Sequence, residues 1–406
     1  MGEKEQPQSS LSAADQVYRR MVLETAQVPV VFLDPDAFNR QYYMDHGKTV
    51  DPADISVVRN MIESQMPGAA ANASDEDMAG MVARSMNGGP FALRLSIPPS
   101  ADDPDGKPRP FGLVNLQGRN NDQAHEYLPG VAAHTLEFLS VDARDETLWD
   151  GFWGIHEGNH INQPEYSSEG MTPDERALNV MNRELESDLR GMDWLARKGR
   201  PDLAQDLTDY RALSATSDPT HSATAILSDE PGTQATLEHF QASRKFVGTM
   251  WGVVANDLGI GHFDAMHMHR SDEETFNGHV QRLLTEGAFD NADPNPYVRE
   301  YIEAYSGAVQ RQITDRRVAQ EMEANGPDRN KVDVGSIKGG TPVVTLNDGD
   351  QATLRIGGVS AVTFFAANAD PVLAEQRIAM LEANTPVLDT EFTRSTSQTA
   401  GISVRP

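Results

Sequence analysis

Apolar and polar residues alternate most cleanly in FALRLSI (91–97), where Phe91, Leu93, Leu95 and Ile97 take one side and Ala92, Arg94 and Ser96 the other. A period of two predicts a strand with one buried face. FGLVNLQ (111–117) follows across PPSADDPDGKPRP (98–110), a loop rich in Pro, Gly and Asp, so the two runs read as a hairpin. VPVVFL (28–33) is a short unbroken apolar run stopped by Asp34-Pro35, which predicts a buried strand. Elsewhere the period is helical. Helices are expected over 11–27, after Asp51-Pro52, and across 74–86, where Ser74, Asp75, Glu76 and Asp77 suit a first turn.

From about 131 to 323 helical patterning dominates, broken by loops near 164–173, 199–201, 214–221, 229–233 and 288–296. Within it, 172–199 opens on Thr172-Pro173-Asp174-Glu175, a good helix start, and closes on Gly199, a good stop. The character changes after 325–328. TPVVTL (341–346), NDGD (347–350) and ATLRI (352–356) read as strand, tight turn and strand, followed by VTFFAA (362–367) and a helix over 371–384. The fold class is therefore α+β and predominantly helical. Residues 1–10 and 386–406 read as disordered tails. A main domain over 11–326 divides into a mixed lobe (11–130) and a helical lobe (131–326), and a small β-rich piece spans 327–385.

Composition narrows the function. The formal net charge of −27 opposes any phosphate backbone or anionic lipid surface, so neither nucleic acid nor membrane is an expected partner. No run approaches 18 uninterrupted apolar residues, and the first residues show no apolar leader, so a cytoplasmic location is the expectation. The chain has no cysteine. That removes disulfides, thiolate metal sites and cysteine nucleophiles, and leaves His, Asp and Glu as the strong metal ligands.

Against that background TLWDGFWGIHEGNHINQ (147–163) carries HExxH. His156 and His160, four apart on a helix, project from one face, as two imidazoles on one Zn²⁺ must. Glu157 stands next to the first of them and can take a proton from water on the metal. Gly158 and Asn159 are poor helix formers, and Asn162 stands where an apolar residue usually follows the motif. Leu148, Trp149, Phe152, Trp153 and Ile155 supply the bulk that a buried helix needs. A zinc site also needs a third protein ligand. In 172–199, Glu184 and Asp188 are four apart, so one carboxylate is placed to ligate and the other to hold an imidazole by its second nitrogen.

HExxH followed 24 positions later by ExxSD resembles the gluzincin group of zinc peptidases, thermolysin and its relatives, over about 35 residues. Arg183 stands where those proteins often have Asn, and Asn182 lies one further back. The resemblance implies a zincin-like core, a Zn²⁺ cofactor, and a peptide or protein substrate. It implies His156, His160 and Glu184 as ligands, Glu157 as general base and Asp188 as the residue that orients His156. It also implies a later histidine that stabilises the oxyanion. The candidate is His221, in a loop where Asp218 or Ser222 is placed to orient it, with Tyr166 and Tyr210 as further candidate donors. The 91–117 hairpin is the candidate edge for receiving a substrate strand.

Other readings stand beside this one. A helical interaction protein with an inert HExxH is the main alternative. GNH (158–160) with His267-Met268-His269 resembles pieces of calcineurin-like metallophosphoesterases, without the acidic motifs that family also uses. His262, His267 and His269 form a second possible metal cluster. The sequence does not give the oligomeric state.

Overall fold

A computed structural model of the chain describes residues 13–71, 73–87, 91–97, 99, 107–116, 143–166, 169–216, 218–229, 232–325, 332–338, 341–346 and 351–353. The tails, the 347–350 turn, VTFFAA and the 371–384 helix lie outside these residues. The described residues form two units, one up to 116 together with 145–166, the other 143–144 and everything from 169 onward. No helix among them is long and apolar enough to cross a membrane.

The first unit runs α1 (Ala13–Thr25), β1 (Val30–Leu33), α2 (Arg40–Asp45), α3 (Pro52–Gln65), α4 (Asp75–Asn87), β2 (Ala92–Ile97), β3 (Arg109–Asn115) and α5 (Ala143–Asn162). Asp51 caps α3 by accepting the Ala53 N–H, with Pro52 pre-set for the first turn. The strand order is β1-β3-β2. β2 and β3 pair antiparallel, with Leu93 opposite Leu113 and Leu95 opposite Phe111, as the alternation predicts. β1 pairs parallel with β3, placing Val31 beside Leu113, and the intervening helices supply the long crossover such a pair requires.

Because side chains alternate across a strand, the sheet has two distinct faces. Val31, Leu33, Phe111 and Leu113 point one way, into a core shared with Val58 and Ile62 of α3 and Val82 of α4. Gly112 and Arg94, directly paired across β3 and β2, point the other way, toward the end of α5. A Cβ on Gly112 would come within 2.6 Å of the Ile161 side chain, so the missing side chain lets the helix settle on the sheet.

The second unit runs α6 (Pro173–Arg197), α7 (Pro201–Ser214), α8 (Thr224–Leu227), α9 (Leu237–Leu258), α10 (His262–Ser271), α11 (Glu273–Thr285), α12 (Pro296–Asn325) and a small antiparallel sheet, β4 (Val332–Lys338), β5 (Thr341–Leu346) and β6 (Gln351–Thr353). Thr172 and Glu175 form a capping box at the start of α6, where the sequence places it. Gly199, with φ of +78°, ends that stretch. Phe246, Met250 and Val254 of α9 pack against Phe276 of α11 and Tyr301 and Tyr305 of α12. The class is α+β and mostly helical, as expected. β4 is an addition, since the sequence pattern marks only the two strands that follow it.

Candidate metal centre

HExxH occupies the last two turns of α5. From Leu148 to Asn159 every residue of this helix is buried, including Asp150, His156 and Glu157. A helix buried all round needs no apolar stripe, which is why its residues show no amphipathic period. Its glycines serve the same packing. A Cβ on Gly154 would meet the Tyr18 carbonyl oxygen at 2.6 Å, and one on Gly158 would meet Thr25 Cβ at 2.8 Å. Gly158, a poor helix former by propensity, is there so that α1 can lie against α5. Asn162 is explained as well: its Nδ2 donates to the Thr25 carbonyl at 2.8 Å and its Oδ1 accepts the Gln27 N–H at 2.7 Å. An apolar residue at 162 would leave the end of α1 without these bonds.

The two histidines face each other. Their Nε2 atoms are 3.0 Å apart with the rings nearly perpendicular. Two Zn–N bonds of about 2.0–2.1 Å at the tetrahedral angle would separate the nitrogens by about 3.3 Å, so the pair matches that spacing closely. Trp153 packs edge-on against His156 and helps fix its ring. His160 Nδ1 lies 3.0 Å from Gln163 Oε1. A carbonyl oxygen can only accept, so with the amide turned this way the contact suits the tautomer protonated on Nδ1.

On α6, Glu184 projects a carboxylate whose ligand atom lies, with those of His156 and His160, inside a group no wider than 4.8 Å. Two imidazole nitrogens and one carboxylate oxygen form a donor set suited to a divalent metal. Among the described residues this is the group of three that meets the requirement; His262, His267 and His269 do not gather into one. His269 instead accepts the Trp251 Nε1–H at 3.0 Å and bonds the Tyr305 hydroxyl at 2.9 Å, while His267 bonds Ser271.

His221 stands beside Glu184, its Nε2 3.2 Å from Oε2. Its Nδ1 is 2.6 Å from Asp218 Oδ2, and Thr220 holds the other Asp218 oxygen through its N–H and hydroxyl. Asp218 is thus the orienting residue. Ser222 bonds the Pro219 carbonyl and the Tyr301 hydroxyl instead. Burial and the nearby Arg211 charge would each lower the His221 pKa, but bonds to Asp218 and Glu184 outweigh them and raise it to about 9. Asp218 shows the converse: burial pushes it up, yet His221, Thr220 and Arg211 pull it down to about 2. With Glu184 a free carboxylate, the pair is an imidazolium and a carboxylate at neutral pH.

Asp188 is fully buried on α6. It takes Arg211 Nε and Nη2 on its two oxygens, both at 2.8 Å, and the Thr224 hydroxyl at 2.7 Å. Burial works against the Arg211 charge, and the Asp188 carboxylate more than restores it, raising its pKa. Tyr210 is buried, with its pKa pushed up to about 12 by that burial, and Tyr166 is exposed on the loop after α5. Asn182, two before the candidate ligand, clamps the Ala235 backbone through both its amide atoms.

Two contributors escape the motif reading. Gln163 lies three beyond His160, and that i,i+3 spacing was the available signal. Arg211 lies on α7, 23 residues beyond Asp188, and nothing local announces the pairing. Comparison with protein-family models, curated proteins and solved structures finds no match to this chain.

Proposed function

We propose that this chain is a zinc-dependent hydrolase that cleaves a peptide or amide bond. The observation that carries the reading is the convergence of the His156, His160 and Glu184 ligand atoms within 4.8 Å, with Glu157 buried in the same helical turn as the two imidazoles. His156, His160 and Glu184 would hold the ion, and two imidazoles with one carboxylate are donors that suit Zn²⁺. When bound, such an ion supplies Lewis acidity, lowering the pKa of a coordinated water to about 7.

The rest of the chemistry belongs to the chain. Glu157 accepts the proton of the attacking water and later returns it to the leaving amine. His221, its Nδ1 held by Asp218, would donate through Nε2 to the oxygen on which negative charge develops once Glu184, 3.2 Å from that nitrogen, is engaged by the metal. The Asp218 carboxylate keeps that ring in one orientation, and Asp188 fixes the loop side of the site through Arg211 and Thr224.

The test is metal content and peptidase turnover of the purified full chain. One Zn²⁺ per chain is expected, lost on His156→Ala. Glu157→Gln is expected to keep the zinc and lose turnover by about 10²–10⁴-fold. A protein that purifies without metal and fails to take up Zn²⁺ on titration is an interaction protein with an inert motif instead.

A further inference from the structure

The motif ends at His160, yet the chain beyond it is held as firmly as the motif itself. The Gln163 N–H donates to the Asn159 carbonyl at 3.2 Å, Arg94 of β2 donates to the Ile161 carbonyl at 2.7 Å, and Asn162 is tied to Thr25 and Gln27. None of these bonds uses the Gln163 side chain. That side chain is nevertheless buried, with its carbonyl 3.0 Å from His160 Nδ1.

A neutral imidazole carries its proton on one nitrogen or the other, and only the bare one can ligate a metal. We propose that Gln163 is a positioning residue of the metal centre: its side-chain carbonyl holds His160 in the tautomer with the proton on Nδ1 and so presents a bare Nε2, 3.0 Å from that of His156. This assignment rests on the metal-centre reading above and adds to it a residue outside HExxH. An amide suits the role because it accepts without charge. A carboxylate at 163 would accept too, adding negative charge next to the ligand set.

The experiment compares the unsubstituted full chain with Gln163→Met, which keeps length and loses the acceptor, and Gln163→Glu, which keeps an acceptor and cannot donate. Zn²⁺ affinity is read by competition with a chelator, the Co²⁺ spectrum reports ligand geometry, and ¹⁵N imidazole NMR of the metal-free protein reports the His160 tautomer. Gln163→Met is expected to weaken Zn²⁺ about 10–100-fold and to populate the tautomer protonated on Nε2. Gln163→Glu is expected to bind Zn²⁺ at least as tightly as the unsubstituted chain. Unchanged affinity and tautomer in Gln163→Met overturn the proposal, as does a large loss of affinity in Gln163→Glu. If Gln163→Met does not fold, the tautomer of the unsubstituted protein decides, and a ring protonated on Nε2 overturns the assignment. An unsubstituted chain that binds no Zn²⁺ overturns the metal centre itself, a result distinct from metal binding that is indifferent to residue 163.

Discussion

Gly154 and Gly158 show how far a single position can depart from helix propensity. In isolation each costs α5 about 0.5–1 kcal/mol relative to Ala. In the folded chain the missing Cβ is what admits α1, whose Tyr18 carbonyl and Thr25 side chain stand in the space a methyl would occupy. Gly154→Ala is therefore expected to destabilise by roughly 1–3 kcal/mol through overpacking, since the nearest atom is backbone and cannot swing away. Gly248 makes the contrast, for it lies inside α9 and a Cβ there would meet nothing within 4 Å. Gly248→Ala is expected to stabilise by about 0.5–1 kcal/mol, and denaturant melts of the two variants should shift in opposite directions.

Among elements, α6, α7 and α8 are joined by a buried ion pair, since Asp188 takes Arg211 from α7 and Thr224 from α8. Removing one partner of such a pair leaves a desolvated charge alone. Asp188→Asn is expected to cost about 3–5 kcal/mol, read as a lowered denaturation midpoint, although it changes no volume. The start of α6 was legible in the sequence because Thr172, Pro173 and Glu175 are local signals that act within one turn. The β2–β3 hairpin was legible because β2 alternates apolar and polar positions, even though the end of α5 covers the second face of the sheet. The parallel pairing of β1 with β3 was not, because the partners are about 80 residues apart and a fully buried strand shows no period. β4 escaped for a different reason: VDVGSIK mixes Asp, Gly, Ser and Lys with its apolar residues.

At the scale of the whole molecule, alkaline titration gives a test that needs no substrate. Burial raises the pKa of Tyr18 and Tyr301 well above the ordinary value and that of Tyr210 to about 12. A raised folded-state pKa means the stabilising contribution is complete below the unfolded value, near 10, and is lost as pH rises toward the folded one. Stability is therefore expected to fall from about pH 10 upward, with Tyr210 alone accounting for roughly 2–3 kcal/mol by pH 12. The phenolate absorbance of Tyr18, Tyr210 and Tyr301 should appear only as the chain unfolds; their ionisation near pH 10 in a folded protein contradicts the burial. The candidate site was legible to the extent that HExxH and ExxSD fix their own spacing. Asp218 was a named candidate because it is three residues from His221. Gln163 has the same three-residue spacing from His160 but lies beyond the motif, and Arg211, 23 residues from Asp188, has no local signal at all.

The Asn162 clasp has a practical consequence. The Gln27 amide proton is bonded not to another backbone group but to a side chain 135 residues further along the chain. Its exchange with deuterated solvent therefore keeps time with separation of α1 from the end of α5, and not with fraying of α1 alone. That one proton is a built-in clock for how often the histidine-bearing helix comes loose from its neighbour.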